Sequence, residues 1–181
     1  MEQKEKTILI GVSASIAIYK SLDLVRELKK KQYQVRVAMT RTAESWINPL
    51  LFSALSENEV YTESQNNVAA MPHIEIRDNL DLYLVAPATA DLIARAAVGR
   101  GDDIVSATLL SYPGPRWIAP SMNPFMYKHP ATQKNLDILR SYGYEILAPQ
   151  NGEAVCGDTG NGKMARIEDI LARIDGFFGI P

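Results

Sequence analysis

A chain of 181 residues with 46% hydrophobic side chains fits one domain of ordinary size and is long enough to bury a substantial core. Its 19 basic and 21 acidic side chains give a formal charge of -2, and Lys29-Lys30-Lys31 is the largest basic cluster, which excludes the footprint of a nucleic-acid binder. A single cysteine and two histidines exclude an intrachain disulfide and any recognisable metal site, no apolar stretch reaches membrane-spanning length, and the charged N-terminus lacks a secretory pattern; the expectation is a soluble cytoplasmic protein with no membrane partner.

Thr7 to Val12 (TILIGV) is apolar and β-branched, SAS follows at once, and Ile18, Leu22, Val25 and Leu28 then recur at helical spacing. This predicts strand, tight turn and helix, with the lysine run as a solvated helix end whose cations suit the dipole. QVRVAMT (34–40) is the next strand, and TAESWI and LLFSALS predict two short helices broken by Pro49. LDLYLVAPA (80–88) is a strongly apolar strand feeding a helix over DLIARAA (91–97). DIVSATLLSY is a further helix and RWIAPS (116–121) a strand. PATQKNLDILRSYG (130–143) reads as a helix with Pro near its first turn and Gly143 just past its end. EILAP (145–149) is a final strand, residues 150–164 are glycine-rich, and IEDILARIDGFF (167–178) is an amphipathic helix.

Strands alternating with helices imply parallel pairing through crossovers, hence one doubly wound parallel α/β sheet with ligands at the carboxyl ends of its strands. Three predicted strands end there in small or polar residues: SAS at 13–15, APATAD at 86–91 and APSMN at 119–123.

GVSAS (11–15) sits where a helix N-terminus can receive a phosphate, although Ser13 or Ser15 could simply cap the helix. In APATADLI, Thr89 offers a hydroxyl and Pro87 fixes a turn, again consistent with a plain strand-to-helix junction. Pro120 and Pro124 pin a short loop around Met122 and Asn123; the asparagine offers a ligand both donor and acceptor, or else bonds nearby backbone. His73, in MPHIEI, is the natural base if it is not a surface or capping residue. Cys156 stands in VCGDTGNGKM, flanked by glycine rather than by the apolar strand or helix that usually houses a structural thiol. Residues 150–164 are therefore expected to be an irregular, mobile lid carrying a reactive thiol, with Lys163 as a cation for an anionic group.

Taken in order, GVSAS, His73, APATADL, APSMNPFMY, PATQKNL and CGDTGNGKM resemble the flavin-dependent cysteine decarboxylase family, from about residue 7 to about residue 170. The resemblance implies bound FMN on a flavodoxin-like α/β fold, with no metal. It also implies trimer-based homo-oligomers, homotrimers or homododecamers, that place flavin and substrate at subunit contacts. By that resemblance Gly11, Ser13, Ser15 and Thr40 hold the flavin phosphate or ribityl chain. The family's P-A-S-A-N-T segment corresponds to Pro87, Ala88, Thr89, Ala90, Asp91 and Leu92, departing at Thr89, Asp91 and Leu92 in the manner of the coenzyme A branch. The P-x-M-N-x-x-M pattern is intact as Pro120, Met122, Asn123 and Met126, with Asn123 on the substrate carboxylate and His73 as the active-site histidine. The lid motif is Cys156, Gly157, Gly160, Gly162, Lys163 and Met164; lysine there replaces arginine, which keeps the charge and loses the bidentate fork.

The implied reaction is decarboxylation of phosphopantothenoylcysteine in coenzyme A synthesis, coupled or fused in many bacteria to the synthetase that makes this substrate. A saturated carboxylate has no electron sink until two electrons leave the neighbouring Cβ for the flavin, after which carbon dioxide can depart; by the resemblance Cys156 then protonates the resulting enethiolate while the reduced flavin returns hydride, which makes the decarboxylation redox-neutral. Two other readings are a decarboxylase of peptide C-terminal cysteines, against which Cys156 argues, and a non-catalytic flavin-binding regulatory subunit, against which His73, Asn123 and Cys156 together argue.

Overall fold

The computed structural model describes residues 5–64, 72–153 and 157–180. Uninterrupted apolar, β-branched sequence makes the central strands: β1 (Thr7–Val12) is buried from its second residue onward, and β4 (Leu82–Ala88) is buried throughout. Between them come α1 (Ile18–Lys30), β2 (Gln34–Met39), α2 (Arg41–Trp46), α3 (Pro49–Ser56), β3 (Val60–Tyr61) and α4 (Pro72–Arg77). Beyond β4 the chain forms α5 (Ala90–Ala97), α6 (Ile104–Ser111), β5 (Arg116–Pro120), α7 (Pro124–Lys128), α8 (Pro130–Ser141) and β6 (Glu145–Ile146). A ribbon of β7 (Gln150–Glu153) and β8 (Thr159–Lys163) precedes α9 (Ile167–Phe178).

Six strands pair in the order β3-β2-β1-β4-β5-β6, all parallel, as the flavodoxin-like expectation requires. The chain runs outward from β1 through β2 to β3 and then returns to lay β4 on the other side of β1, so the topological switch point lies between β1 and β4. Alternate residues of β1 point to opposite cores. Ile8, Ile10 and Val12 pack with Leu24, Val25 and Leu28 of α1 and Ile170 and Ile174 of α9. Leu9 packs with Tyr83 and Val85 of β4, Leu92 of α5, Leu109 of α6 and Leu136 of α8. Each such side chain contributes about 1.5–3 kcal/mol by leaving water, which is why the central strands tolerate no polar interruption.

Helix ends follow local chemistry. Asn48 caps α3 by accepting from the Leu50 N–H at 2.9 Å, so Pro49 starts a helix rather than breaking one. His129 caps α8 by accepting at Nδ1 from the Ala131 N–H at 3.2 Å. Gly143 follows α8 at φ +82°, a left-handed turn that glycine adopts without a Cβ penalty. The lysine run closing α1 is ion-paired: Lys29 with Glu57 at 2.9 Å and Lys31 with Asp175 at 2.8 Å.

Besides adding the two-residue β3, the structure differs from the sequence expectation in three places. The strand expected at 145–149 keeps two paired residues; the Leu147 N–H still reaches the Ile118 carbonyl at 2.8 Å, while Pro149 has no N–H to offer. The loop expected after β5 is capped into α7. The segment expected to be an irregular lid contains an antiparallel ribbon with Gly152 opposite Gly160, separate from the main sheet.

Candidate active site

Three turns converge at the switch point. Ser13, just past β1, is buried, and its hydroxyl donates to the Pro87 carbonyl at 2.8 Å and accepts from the Thr89 N–H at 3.0 Å. Ser15 shares a 2.8 Å hydrogen bond with Ser121, which follows β5, and also accepts from the Ala17 N–H at 3.3 Å. The Ser121 N–H in turn donates to the Ala88 carbonyl at 2.9 Å. Thr40 accepts from the Ala43 N–H at 3.2 Å to cap α2, and Thr89 accepts from the Leu92 N–H at 3.3 Å to cap α5. A hydroxyl has one donor and two acceptor positions, so each capping threonine still has a proton to give a ligand. The first turn of α1 contains no acidic residue and is not capped by a side chain, which leaves the positive end of its dipole facing the turn at 13–17.

One rim of the site is charged. The guanidinium of Arg95 reaches Asp91 at 3.0 Å, Asp102 at 2.8 Å and Asp103 at 2.6 Å. Burial works to strip its proton, but the hydrogen bonds of Asp103 and Asp102 outweigh that and hold Arg95 above the usual arginine range. The same hydrogen bond from Arg95 holds the Asp102 carboxyl below the usual carboxylate range. Asp103 also caps α6 in a reciprocal box with Ser106, and Glu63 accepts from the Ile104 N–H at 2.6 Å.

The opposite wall is Asn123 and the β7–β8 ribbon. Asn123 Oδ1 accepts from the Phe125 N–H at 2.7 Å, which caps α7 and fixes the amide so that Nδ2 donates to Asp158 at 2.5 Å. The ribbon is clasped by a 2.9 Å hydrogen bond from the Met122 N–H to the Gly162 carbonyl. A Cβ on Gly162 would stand 2.4 Å from the Met122 carbonyl oxygen and 3.2 Å from the Pro124 nitrogen, so only glycine allows this approach. Lys163 lays its aliphatic stem over Gly152, where a Cβ would meet Lys163 Cδ at 3.1 Å.

These walls enclose a cleft of about 1130 Å³, just above the roughly 300–1,000 Å³ typical of small-molecule sites. Of the expected flavin-binding residues, Ser13, Ser15, Thr40, Thr89, Ala90 and Asp91 line it. Asn123, Met126 and Lys163 from the expected substrate set line it too. Gly11, Pro87 and Ala88 do not. Gly11 lies inside β1, where a Cβ would press on the Tyr83 ring at 3.0 Å, and Pro87 and Ala88 serve through the carbonyls that hold Ser13 and Ser121. Nor does His73 line the cleft: it sits half-buried on α4, its carbonyl accepting from the Ser111 hydroxyl at 3.3 Å. Cys156 lies outside the described residues. Sequence reasoning passed over Ser121, Arg95 and Glu63, which line the cleft or its charged rim. The adjacent Asp102-Asp103, three residues before Ser106, was the available signal for the rim. Among the described residues no group of three metal-ligating side chains occurs, and no helix is long and apolar enough to cross a membrane.

A family model described as Flavoprotein matches residues 1–179. The chain belongs to the Flavoprotein family. Among the relatives of this flavoprotein is the probable phosphopantothenoylcysteine decarboxylase of Streptococcus mutans, 39% identical over 174 residues that cover 94% of this chain and 97% of that one. The coenzyme A biosynthesis bifunctional protein CoaBC of Bacillus subtilis is 40% identical over 168 residues, 92% of this chain but 41% of the relative. This flavoprotein thus spans about two fifths of the length of the bifunctional relatives it matches. Among solved structures, a cysteine-to-serine variant of PPC decarboxylase complexed with pantothenoylaminoethenethiol superposes with a TM-score of 0.86 at 26% identity, covering 97% of this chain and all of that one. The peptidyl-cysteine decarboxylase EpiD gives a TM-score of 0.82 at 27% identity over 93% of this chain and 97% of that one.

Proposed function

We propose that this flavoprotein binds FMN and decarboxylates phosphopantothenoylcysteine to 4′-phosphopantetheine, the step that removes the cysteine carboxylate during coenzyme A synthesis. The observation that carries the reading is Asn123. Its oxygen accepts from the Phe125 N–H, which turns the NH2 edge of the amide, the edge that carries a carboxylate in Asp158, toward the cleft at the carboxyl end of β5. A neutral, preoriented donor suits a group that must lose its charge as carbon dioxide, because it orients the carboxylate without stabilising it as a full countercharge would.

The residues present fit a flavin mononucleotide. The acid-free opening of α1 suits the phosphate, Thr40 and Thr89 suit ribityl hydroxyls, and the cleft volume admits a tricyclic ring. When bound, the flavin would supply the two-electron oxidation that gives the substrate carboxylate an electron sink and, once carbon dioxide has left, would return the same two electrons as hydride, so that the net reaction is redox-neutral. Lys163 would hold an anionic part of the substrate, and Met126 would cover its apolar arm. Cys156 would deliver the proton that ends the reaction in 4′-phosphopantetheine rather than an enethiol. The relative captured with pantothenoylaminoethenethiol, an enethiol, carries a cysteine-to-serine change, which supports that role.

His73 would act in the cleft of a neighbouring copy. Within one copy it does not line the cleft, while Ile16, Tyr19, Trp46 and Met126 leave half or more of their surface exposed at the cleft rim, as an oligomer with shared sites would use them. The substrate would come from the synthetase that makes it, either fused to the decarboxylase, which the bifunctional coenzyme A biosynthesis relatives support, or acting as a separate cytoplasmic enzyme.

Purified protein should release FMN on denaturation and convert phosphopantothenoylcysteine anaerobically to a product lighter by carbon dioxide alone. Loss of two further hydrogens would instead favour the oxidative, peptide-type chemistry, and protein that takes up no flavin would sink both.

A further inference from the structure

We propose that Asp158 occupies the subsite meant for the substrate carboxylate and has to be displaced from it, so that Asp158 sets how strongly the cleft prefers ligands that carry this group. The inference rests on the decarboxylase reading of the cleft and goes beyond it. Asn123 Nδ2 donates to Asp158 Oδ2 at 2.5 Å, a carboxylate on the very group that reading assigns to the substrate's carboxylate. With its oxygen committed to the Phe125 N–H at 2.7 Å the amide cannot turn over, so both carboxylates would have to crowd onto the two hydrogens of one NH2 group. Two carboxylates on one neutral amide repel each other, so an incoming carboxylate and Asp158 compete for it.

The local backbone suits a side chain that leaves without unravelling the ribbon. Gly157, just before Asp158, stands at φ +87°, and among the described residues nothing lies within 4 Å of the position its side chain would take. Four residues beyond Asp158, Gly162 is clasped to Met122 and wedged against the 122–124 backbone. Displacement therefore needs Asp158 to turn away from Asn123 while the clasp stays closed. A product that has lost its carboxylate leaves Asp158 in place, and the two ligands consequently meet different cavities.

The test compares two ligands on flavin-loaded protein by calorimetry: phosphopantothenoylalanine, which keeps the carboxylate and lacks the thiol, and 4′-phosphopantetheine, which lacks the carboxylate. If the state with Asp158 displaced is about one-tenth populated, Asp158→Ala tightens the alanine analogue about tenfold and leaves 4′-phosphopantetheine within about twofold. Asp158→Asn, which keeps the shape and removes the charge, should shift the same ratio in the same direction. An equal change for both ligands, or none for either, would overturn the proposal, since a merely structural residue moves the two together. So would weaker binding of the alanine analogue alone, which would make Asp158 part of the carboxylate site. Wild-type protein that binds neither ligand would bring down the decarboxylase reading itself, and this inference with it.

Discussion

Replacing Gly162 by alanine puts the clasp between ribbon and cleft under a defined load. The new Cβ would lie 2.4 Å from the Met122 carbonyl oxygen, whereas a relaxed C···O contact is about 3.3 Å, so β8 must retreat by roughly 0.9 Å. The obstacle is backbone, from Met122 to Pro124, and cannot swing aside as a side chain would. The retreat stretches the 2.9 Å hydrogen bond from Met122 to Gly162, a loss of about 1 kcal/mol, and carries Lys163 away from the cleft wall. Misplacement by about 1 Å can cost on the order of a hundredfold in rate. We therefore expect Gly162→Ala to lower kcat/KM for phosphopantothenoylcysteine by about ten- to a hundredfold, while the thermal midpoint, governed by the six-stranded sheet, falls by only about 2–4 °C. Carbon dioxide release and a melting curve on the same preparation make the comparison. Wild-type kinetics within about twofold would refute the clasp, and a collapse in melting temperature would show that the ribbon belongs to the cooperative core.

Gly11→Ala should do the reverse: crowding Tyr83 and Val85 should cost about 1–3 kcal/mol of stability in urea titrations, with flavin affinity falling only as far as the sheet distorts. Arg95→Lys should destabilise by about 1–2 kcal/mol in the same titrations, because one ammonium cannot span the three carboxylates that the guanidinium bridges. Stability should also fall in alkali. Burial, the largest cause, raises Tyr33, Tyr61, Tyr83, Tyr112 and Tyr144, and takes Tyr112 up to about 12. Between pH 10 and 12 the native state keeps a proton on Tyr112 that the unfolded chain has released, so stability is full below about 10 and declines as pH rises, by roughly 2 kcal/mol from this residue. Tyr112→Phe should flatten that decline, and an unchanged slope would count against it.

The central sheet was legible because β1, β2, β4 and β5 are short apolar runs whose side chains have nowhere to go but a core. What escaped was structure held by contact rather than by propensity. β8 alternates glycine with polar residues and has little strand preference of its own; it exists because Gly160 and Gly162 let it lie against α7 and the 122–124 backbone. β3 is two residues long, and α7 is a five-residue helix whose cue, Asn123 before Pro124, reads equally well as a turn. At the site, residue types were easier to choose than their duties. Gly11 was identified as special, but the neighbour that demands it is Tyr83. Ser13 was identified as a candidate ligand, and its hydroxyl is occupied with Pro87 and Thr89. The Arg95 knot was missed since its partners lie four, seven and eight residues away around a turn, a separation no periodic pattern announces.

The Ser13 hydroxyl ties together turns that arrive from opposite sides of the switch point. Anything resting on the first turn therefore feels the spacing of β1 and β4, as a hand on a table feels the distance between its legs. Ligand affinity becomes partly a property of the sheet's interior, where Gly11 leaves room for the Tyr83 and Val85 side chains of β4 just beneath the first turn. Changes in tightness of binding should then arise from substitutions that touch no ligand atom.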